Sequence, residues 1–267
     1  MAIKNAVVNY EQKFYLSGIL LSGVTQINGS YSIQEQPINI IGKGHTYPAL
    51  NGPLVGNFTL NKYYIGREPL LDYIGDNPIS GSVNFNDKSF GFNSGYLTDY
   101  SLSASIGSIP KANATIVVYG NIGSGISAEG SNPHPQIQIP NQGSITLDTT
   151  GYENNRITSF TYNLSVGRSP VYKVGSPFPV QVDRKFPLIE TASFAMDIND
   201  HEIVRLHEYL IKPKQQNLNF SFFNPINDSL IERITMENAR LISHSLSSDS
   251  DDVMTVNLNY TSYISKK

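Results

Sequence analysis

Apolar and polar residues alternate along most of this chain with the two-residue period of half-buried strands. From Val24 the pattern runs through Thr25, Gln26 and Ile27 to Tyr31, Ser32 and Ile33, using the β-branched and aromatic residues that suit a pleated surface. Similar stretches lie near 82–86, 96–104 and 113–119, and again near 217–223, 238–247 and 253–263. Two segments break the alternation. Residues 68–74 carry Pro69 early and Gly75 just beyond, which predicts a short α-helix with a left-handed cap. Further on, Asp200 is placed to cap a second helix, whose Ile203, Leu206, Leu210 and Ile211 share one face before Pro213 ends it.

The strand pattern is written twice. Val24 to Ile27, Tyr31 to Ile33, Gln36-Pro37-Ile38 and Ile41-Gly42 match Ile157 to Phe160, Leu164 to Val166, Ser169-Pro170-Val171 and Val174-Gly175, all at the spacing that separates Val24 from Ile157. Pro53-Leu54-Val55 meets Pro187-Leu188-Ile189 with that spacing lengthened by one position. Leu97 to Ser103 then meets Leu241 to Ser247, and Thr115 to Val118 meets Thr255 to Leu258, at slightly wider spacings. Matches kept in order with small drift predict a mainly β protein made of two tandem β-sandwich or barrel units, each with one short α-helix. The units are expected at 1–120, including an N-terminal arm, and at 144–267. Residues 121–143, dense in Gly, Ser, Asn and Pro, form the linker. Each unit also carries a proline-bearing excursion, residues 42–53 and 175–187, because proline cannot donate to a sheet ladder.

Composition narrows the function. With 267 residues the chain is large enough for two cores. Charged residues are only 15% against roughly 25% in ordinary globular chains, and the formal charge is −3, which argues against recognition by phosphate neutralisation. The absence of cysteine removes disulfides, thiolate metal sites and cysteine nucleophiles. The opening residues show no basic region followed by an apolar stretch, so assembly in a cytoplasm is expected. The apolar runs near 19–21 and 114–119 are too short for a membrane segment.

Motifs that suggest chemistry fail on spacing or context. His201-Glu202 and His207 are six residues apart, which separates the two rings by roughly 240° on a helix and denies them a shared metal. Gly123-Ser124-Gly125-Ile126-Ser127-Ala128 has dinucleotide-loop spacing, but Gly130, Pro133 and Pro135 forbid the helix that must receive the phosphates; it reads as flexible linker. Asp249-Ser250-Asp251-Asp252 lacks the glycine and terminal glutamate of a calcium loop, since Met254 and Tyr260 stand there. His45, His134 and His244 have no second ligand at metal spacing. No serine has glycine two residues away on both sides. No catalytic residue, cofactor site or metal site is expected.

The duplicated β unit, the low charge and two local stretches resemble the tail-tube proteins of bacteriophages and related contractile injection systems. One stretch runs from Tyr162 through Arg168-Ser169-Pro170-Val171-Tyr172 to Gly175-Ser176-Pro177-Phe178-Pro179. The other, from Gly95-Tyr96 to Ser105-Ile106-Gly107-Ser108-Ile109-Pro110, is similar to virion proteins of marine phages. The resemblance implies a virion structural protein, assembled in the host bacterial cytoplasm and located in the tail. Its rings line a β-walled channel for DNA, which passes without specific binding. Most such proteins carry one unit and form hexamers, so a doubled chain implies a homotrimer of the same pseudo-sixfold ring. Stacking through the excursions implies ring-to-ring contacts at Lys43, His45, Tyr47, Phe178, Asp183, Arg184 and Lys185. Sheath, baseplate or tail-terminator proteins are the implied partners. A baseplate hub or tail-completion protein with the same doubled fold, and a carbohydrate-binding β-sandwich, are the competing readings.

Overall fold

The computed structural model describes residues 12–32, 35–42, 46–50, 53–85, 87–130, 138–140, 145–149, 157–197, 215–248 and 254–266. The alternating stretches are strands. In the first half they are β1 (Gln12–Leu16), β2 (Ile19–Leu20), β3 (Val24–Ser32), β4 (Glu35–Asn39), β5 (Thr46–Leu50), β6 (Val55–Tyr63), β7 (Ile79–Phe85), β8 (Lys88–Ser105), β9 (Lys111–Val118) and β10 (Ile122–Ser124). The second half contributes β11 (Ile145–Thr149), β12 (Ile157–Val171), β13 (Gln181–Asp197), β14 (Gln216–Phe223), β15 (Leu230–Ser247) and β16 (Thr255–Ile264). All but β4 and β5 join one large antiparallel sheet, so the two expected units are not separate sheets.

Strand neighbours follow the same order in both halves. The first reads β3, β6, β9, β8, β7, β1 and the second β12, β13, β16, β15, β14, β11. Bulges, which insert one residue and bend the strand, recur at matching places. Val24/Gln26 answers Ile157/Ser159, Ile79/Gly81 answers Gln216/Leu218, and Leu97/Asp99 answers Leu241/Ser243. Two left-handed residues fall at equivalent points of β8 and β15, Ser94 at φ 53° and Asn238 at φ 54°.

The ladders reproduce the earlier matches and correct the last one. Ile116 stands opposite Leu97 and Tyr260 opposite Leu241, so Ile116 of β9 answers Tyr260 of β16 rather than Val256. A slip by an even number leaves every side chain on its own face, which is why alternation alone misplaces it.

The expected α-helix at 68–74 is a 3₁₀ turn, Pro69–Tyr73. Glu68 accepts from the Leu70 amide and is held by Lys62, and Gly75 and Pro78 follow before an α-helix gains enough turns to offset its nucleation. No α-helix occurs among the described residues; the second expected helix, with His201 and His207, lies outside them, as do His45, His134 and 249–252. Residues 122–128, read as flexible linker, instead pack on the first half. Ile122 to Ser124 pair with β8, and Ala128 is bonded to Ser82 and Gly18.

One apolar cluster runs through both halves and includes Phe58, Leu97, Tyr100, Phe160, Phe194, Phe220 and Tyr260. A buried polar link crosses it: Tyr64 donates to Glu232 at 2.6 Å, the Glu68 amide donates to the same oxygen at 2.7 Å, and Lys62 holds Glu68 at 3.0 Å. Burial pushes Glu232 above the usual carboxylate range, against the bonds from Tyr64 and Glu68.

Candidate assembly surfaces

The halves meet along a strand seam. One edge of β8 takes β7 along residues 88–95 and then β12 along 99–105, with Asn163 opposite Ser101 and Ser165 opposite Asp99. Phe160, Tyr162 and Leu164 alternate into the core beside Leu102 and Tyr100, so β12 has the burial pattern of an interior strand. Past the seam, β12 and β13 continue as a two-stranded arm in which Arg168 faces Arg184 and Val171 faces Gln181.

Arg168 fastens the base of that arm. Its guanidinium donates to the carbonyls of Leu97, Gly75 and Ile74 at 2.8–3.2 Å, and its side chain is almost fully buried. Leu97 sits at a bulge and the other two carbonyls end the 3₁₀ turn, so a planar fork of five donors meets three acceptors that the ladder leaves unpaired. Tyr96 lies under the fork at 5.4 Å. Burial lowers the Arg168 pKa while Asp76 opposes that shift. Farther out, Phe178 to Val182 close over Tyr96 and Tyr119 around a cavity of about 250 Å³.

The equivalent surfaces elsewhere in the chain lack these covers among the described residues. β3 corresponds to β12 but pairs with β6 alone, and Tyr31, at the position of Leu164, is 41% exposed. Residues 243–247 of β15 correspond to the seam segment of β8 but pair with β16 alone, leaving Leu246 47% exposed. Tyr263, equivalent to Tyr119, is 62% exposed against 8%.

A second feature is the outward sheet face. Gln26, Asn61, Asn113, Ser101, Asn163, Thr191 and Thr261 form one row across seven strands, each opposite the next; all are at least partly exposed except Thr261, which is buried. Side chains bond along this row and its neighbour: Asn61 to Gln26 at 2.9 Å, Asn113 to Ser101 at 3.2 Å, Asn163 to Thr191 at 3.3 Å and Asn259 to Ser243 at 2.9 Å. These residues are uncharged. Among the described residues of these rows, Arg240 and Lys111 stand at the margins, and Asp99 accepts from Ser165.

The residues expected to touch a neighbouring ring are dispersed. Lys43 and His45 lie outside the described residues; Tyr47 is in β5, opposite Ile38. Phe178 lines the cavity. Asp183 accepts from Gln181, and Lys185 is exposed opposite Gly167. Arg184 is engaged within the chain, with Nε and its amide on Asp76 at 2.9 and 3.1 Å and its guanidinium over Phe186. The excursion at 175–187 is strand from Gln181 onward, so prolines 179 and 187 bracket an arm rather than a free loop. Sequence reasoning missed Arg168 as the fastener, because its acceptors are far away along the chain.

Among the described residues, no group of three His, Asp or Glu side chains is placed to hold a metal ion. Comparison with protein-family models and with curated proteins returned no match.

Proposed function

We propose that the chain is a tandem pair of one β unit and serves as a structural subunit of a tail-tube-like assembly, a ring whose channel wall is the polar sheet face. The observation that carries this reading is that face: a hydroxyl and amide field continuous across both halves and nearly free of Lys and Arg. A DNA conduit needs such a wall, since basic side chains hold phosphate strongly and without sequence preference. Its short side chains are already bonded to one another, so the wall presents few unpaired donors to a passing backbone. With two units per chain, a homotrimer completes a pseudo-sixfold ring.

Negative-stain electron microscopy of the concentrated protein tests the proposal. Rings or stacked tubes with a central channel are expected. A strict monomer at high concentration rejects it. The salt dependence of DNA retention is a second readout: the assembled protein is expected to retain no duplex at physiological salt, and binding with a steep salt slope contradicts a passive wall.

A further inference from the structure

We infer that copies of this chain join head to tail by adding β3 of one copy to the free edge of β15 of the next, in a register the chain already displays internally. The inference rests on the self-assembly reading above, and it names the strands that carry it. Inside the chain, β12 lies antiparallel on β8, with Phe160 opposite Ala104, Tyr162 opposite Leu102, Asn163 opposite Ser101 and Leu164 opposite Tyr100. β12 corresponds to β3 with Phe160 at the place of Ile27, and β8 corresponds to β15 with Leu97 at the place of Leu241. Carrying the internal ladder over to these equivalent positions sets Ile27 opposite Ser248 of the next copy. It likewise pairs Asn28 with Ser247, Gly29 with Leu246, Ser30 with Ser245, Tyr31 with His244 and Ser32 with Ser243.

Three observations support this occupant. Both strand edges are unpaired among the described residues, and an open edge is a template for strand addition. The side chains brought together include ones left bare by the isolated chain, Tyr31 and Leu246, at positions whose counterparts Leu164 and Leu102 are buried in the internal seam. His244, which stands opposite Tyr31, has a buried Nδ1 without a hydrogen-bond partner. The arms follow the same rule: Glu35 opposite Leu50 repeats Arg168 opposite Arg184, and Pro48 holds the register position of Val182. The β4–β5 arm of one copy thus reaches the surface of the next that bears Tyr263, as the β12–β13 arm covers Tyr119. The contact joins two different edges, so it propagates, closing into a ring or continuing as a filament.

Engineered cysteines test the register without background, since the chain has none. Ser101→Cys with Asn163→Cys is the internal control, expected to close within one chain. Ser30→Cys with Ser245→Cys is expected to give, on mild oxidation, covalent species at multiples of 29.5 kDa. Each single variant is expected to give no more than a trace of dimer, and the off-register pair Ser30→Cys with Ser247→Cys at least tenfold less ladder. Rings or tubes by microscopy with no ladder from the Ser30/Ser245 pair, while the control closes, overturn the seam and leave the tube reading standing. A ladder without tubes supports the seam and removes the tube. Neither ladder nor particles overturns both.

Discussion

Leu164 and Tyr31 occupy the same place in two equivalent strands, yet one is 2% exposed and the other 41%. The difference lies in what covers the outer edge of the strand. β12 is flanked by β8 and β13, whereas β3 has β6 on one side and nothing described on the other. Tyr119 and Tyr263 repeat the contrast one strand layer away. The first half is finished by the second, and the second ends in the surfaces that the first had before it was covered. Complementary edges at the two ends are what the proposed strand addition between copies requires.

The halves also differ inside. Tyr162 donates to Glu190 at 2.7 Å in a buried site of the second half. The equivalent positions in the first half are Gly29 and Gly56, where an added Cβ would strike Phe58 and Ile122. A buried polar pair in one copy is thus replaced in the other by aromatic and aliphatic filling.

The largest expected effect separates the covered strand from the bare one. Leu164→Ala should destabilise the dilute chain by about 3 kcal/mol, the usual cost of a large-to-small change in a core. Tyr31→Ala should cost less than about 0.5 kcal/mol there and weaken assembly instead. Denaturant titration of both variants, read beside sedimentation at high concentration, checks the split; equal losses of stability would remove the contrast. Next in size is the fastener. Arg168→Ala leaves the Leu97, Ile74 and Gly75 carbonyls without their donor and should cost about 2 kcal/mol, with faster proteolysis of the β12–β13 arm.

Much of this arrangement is legible in the sequence, and the rest is not for definable reasons. The alternation from Val24 to Ile33 and its echo from Ile157 to Val166 locate equivalent strands, because spacing within a strand is local information. The same alternation misplaces β16 by matching Ile116 to Val256, since only the partner strand β15 distinguishes the registers. At 68–74 Pro69 marks the start correctly, but the expected left-handed cap at Gly75 is absent, since the turn ends at Ile74 in the right-handed region and Gly75 is not among the positive-φ glycines. The choice of 3₁₀ over α follows from how few residues lie between Pro69 and Pro78. The seam is invisible to pattern reading: Asn163 and Ser101 are ordinary polar strand residues until the fold sets them side by side.

A pH titration sharpens the internal difference between halves. Burial raises the Glu190 pKa above the ordinary 4.5, against the Tyr162 hydrogen bond and reinforced by Glu237. The folded state therefore holds its proton more tightly than the unfolded state. This contribution favours folding at low pH and is lost as pH rises from about 4.5 through the raised value. Glu190→Gln is expected to flatten that part of the melting-temperature profile, and an unchanged slope would show the carboxyl to be irrelevant to it. The smallest effect concerns the two left-handed bulge residues. Ser94→Gly should stabilise by about 0.5 kcal/mol, whereas Asn238→Gly should change little, because asparagine tolerates positive φ better than serine. Thermal melts resolve the two.

Hydrogen exchange at the strand edges tests the central claim most directly. On passing from the dilute to the concentrated, assembled protein, the account predicts new amide protection within residues 26–32 and 243–248. Residues 159–165 of β12 should be protected under both conditions, because their seam partner belongs to the same chain. Assembly that protects other segments while both edges continue to exchange would contradict it.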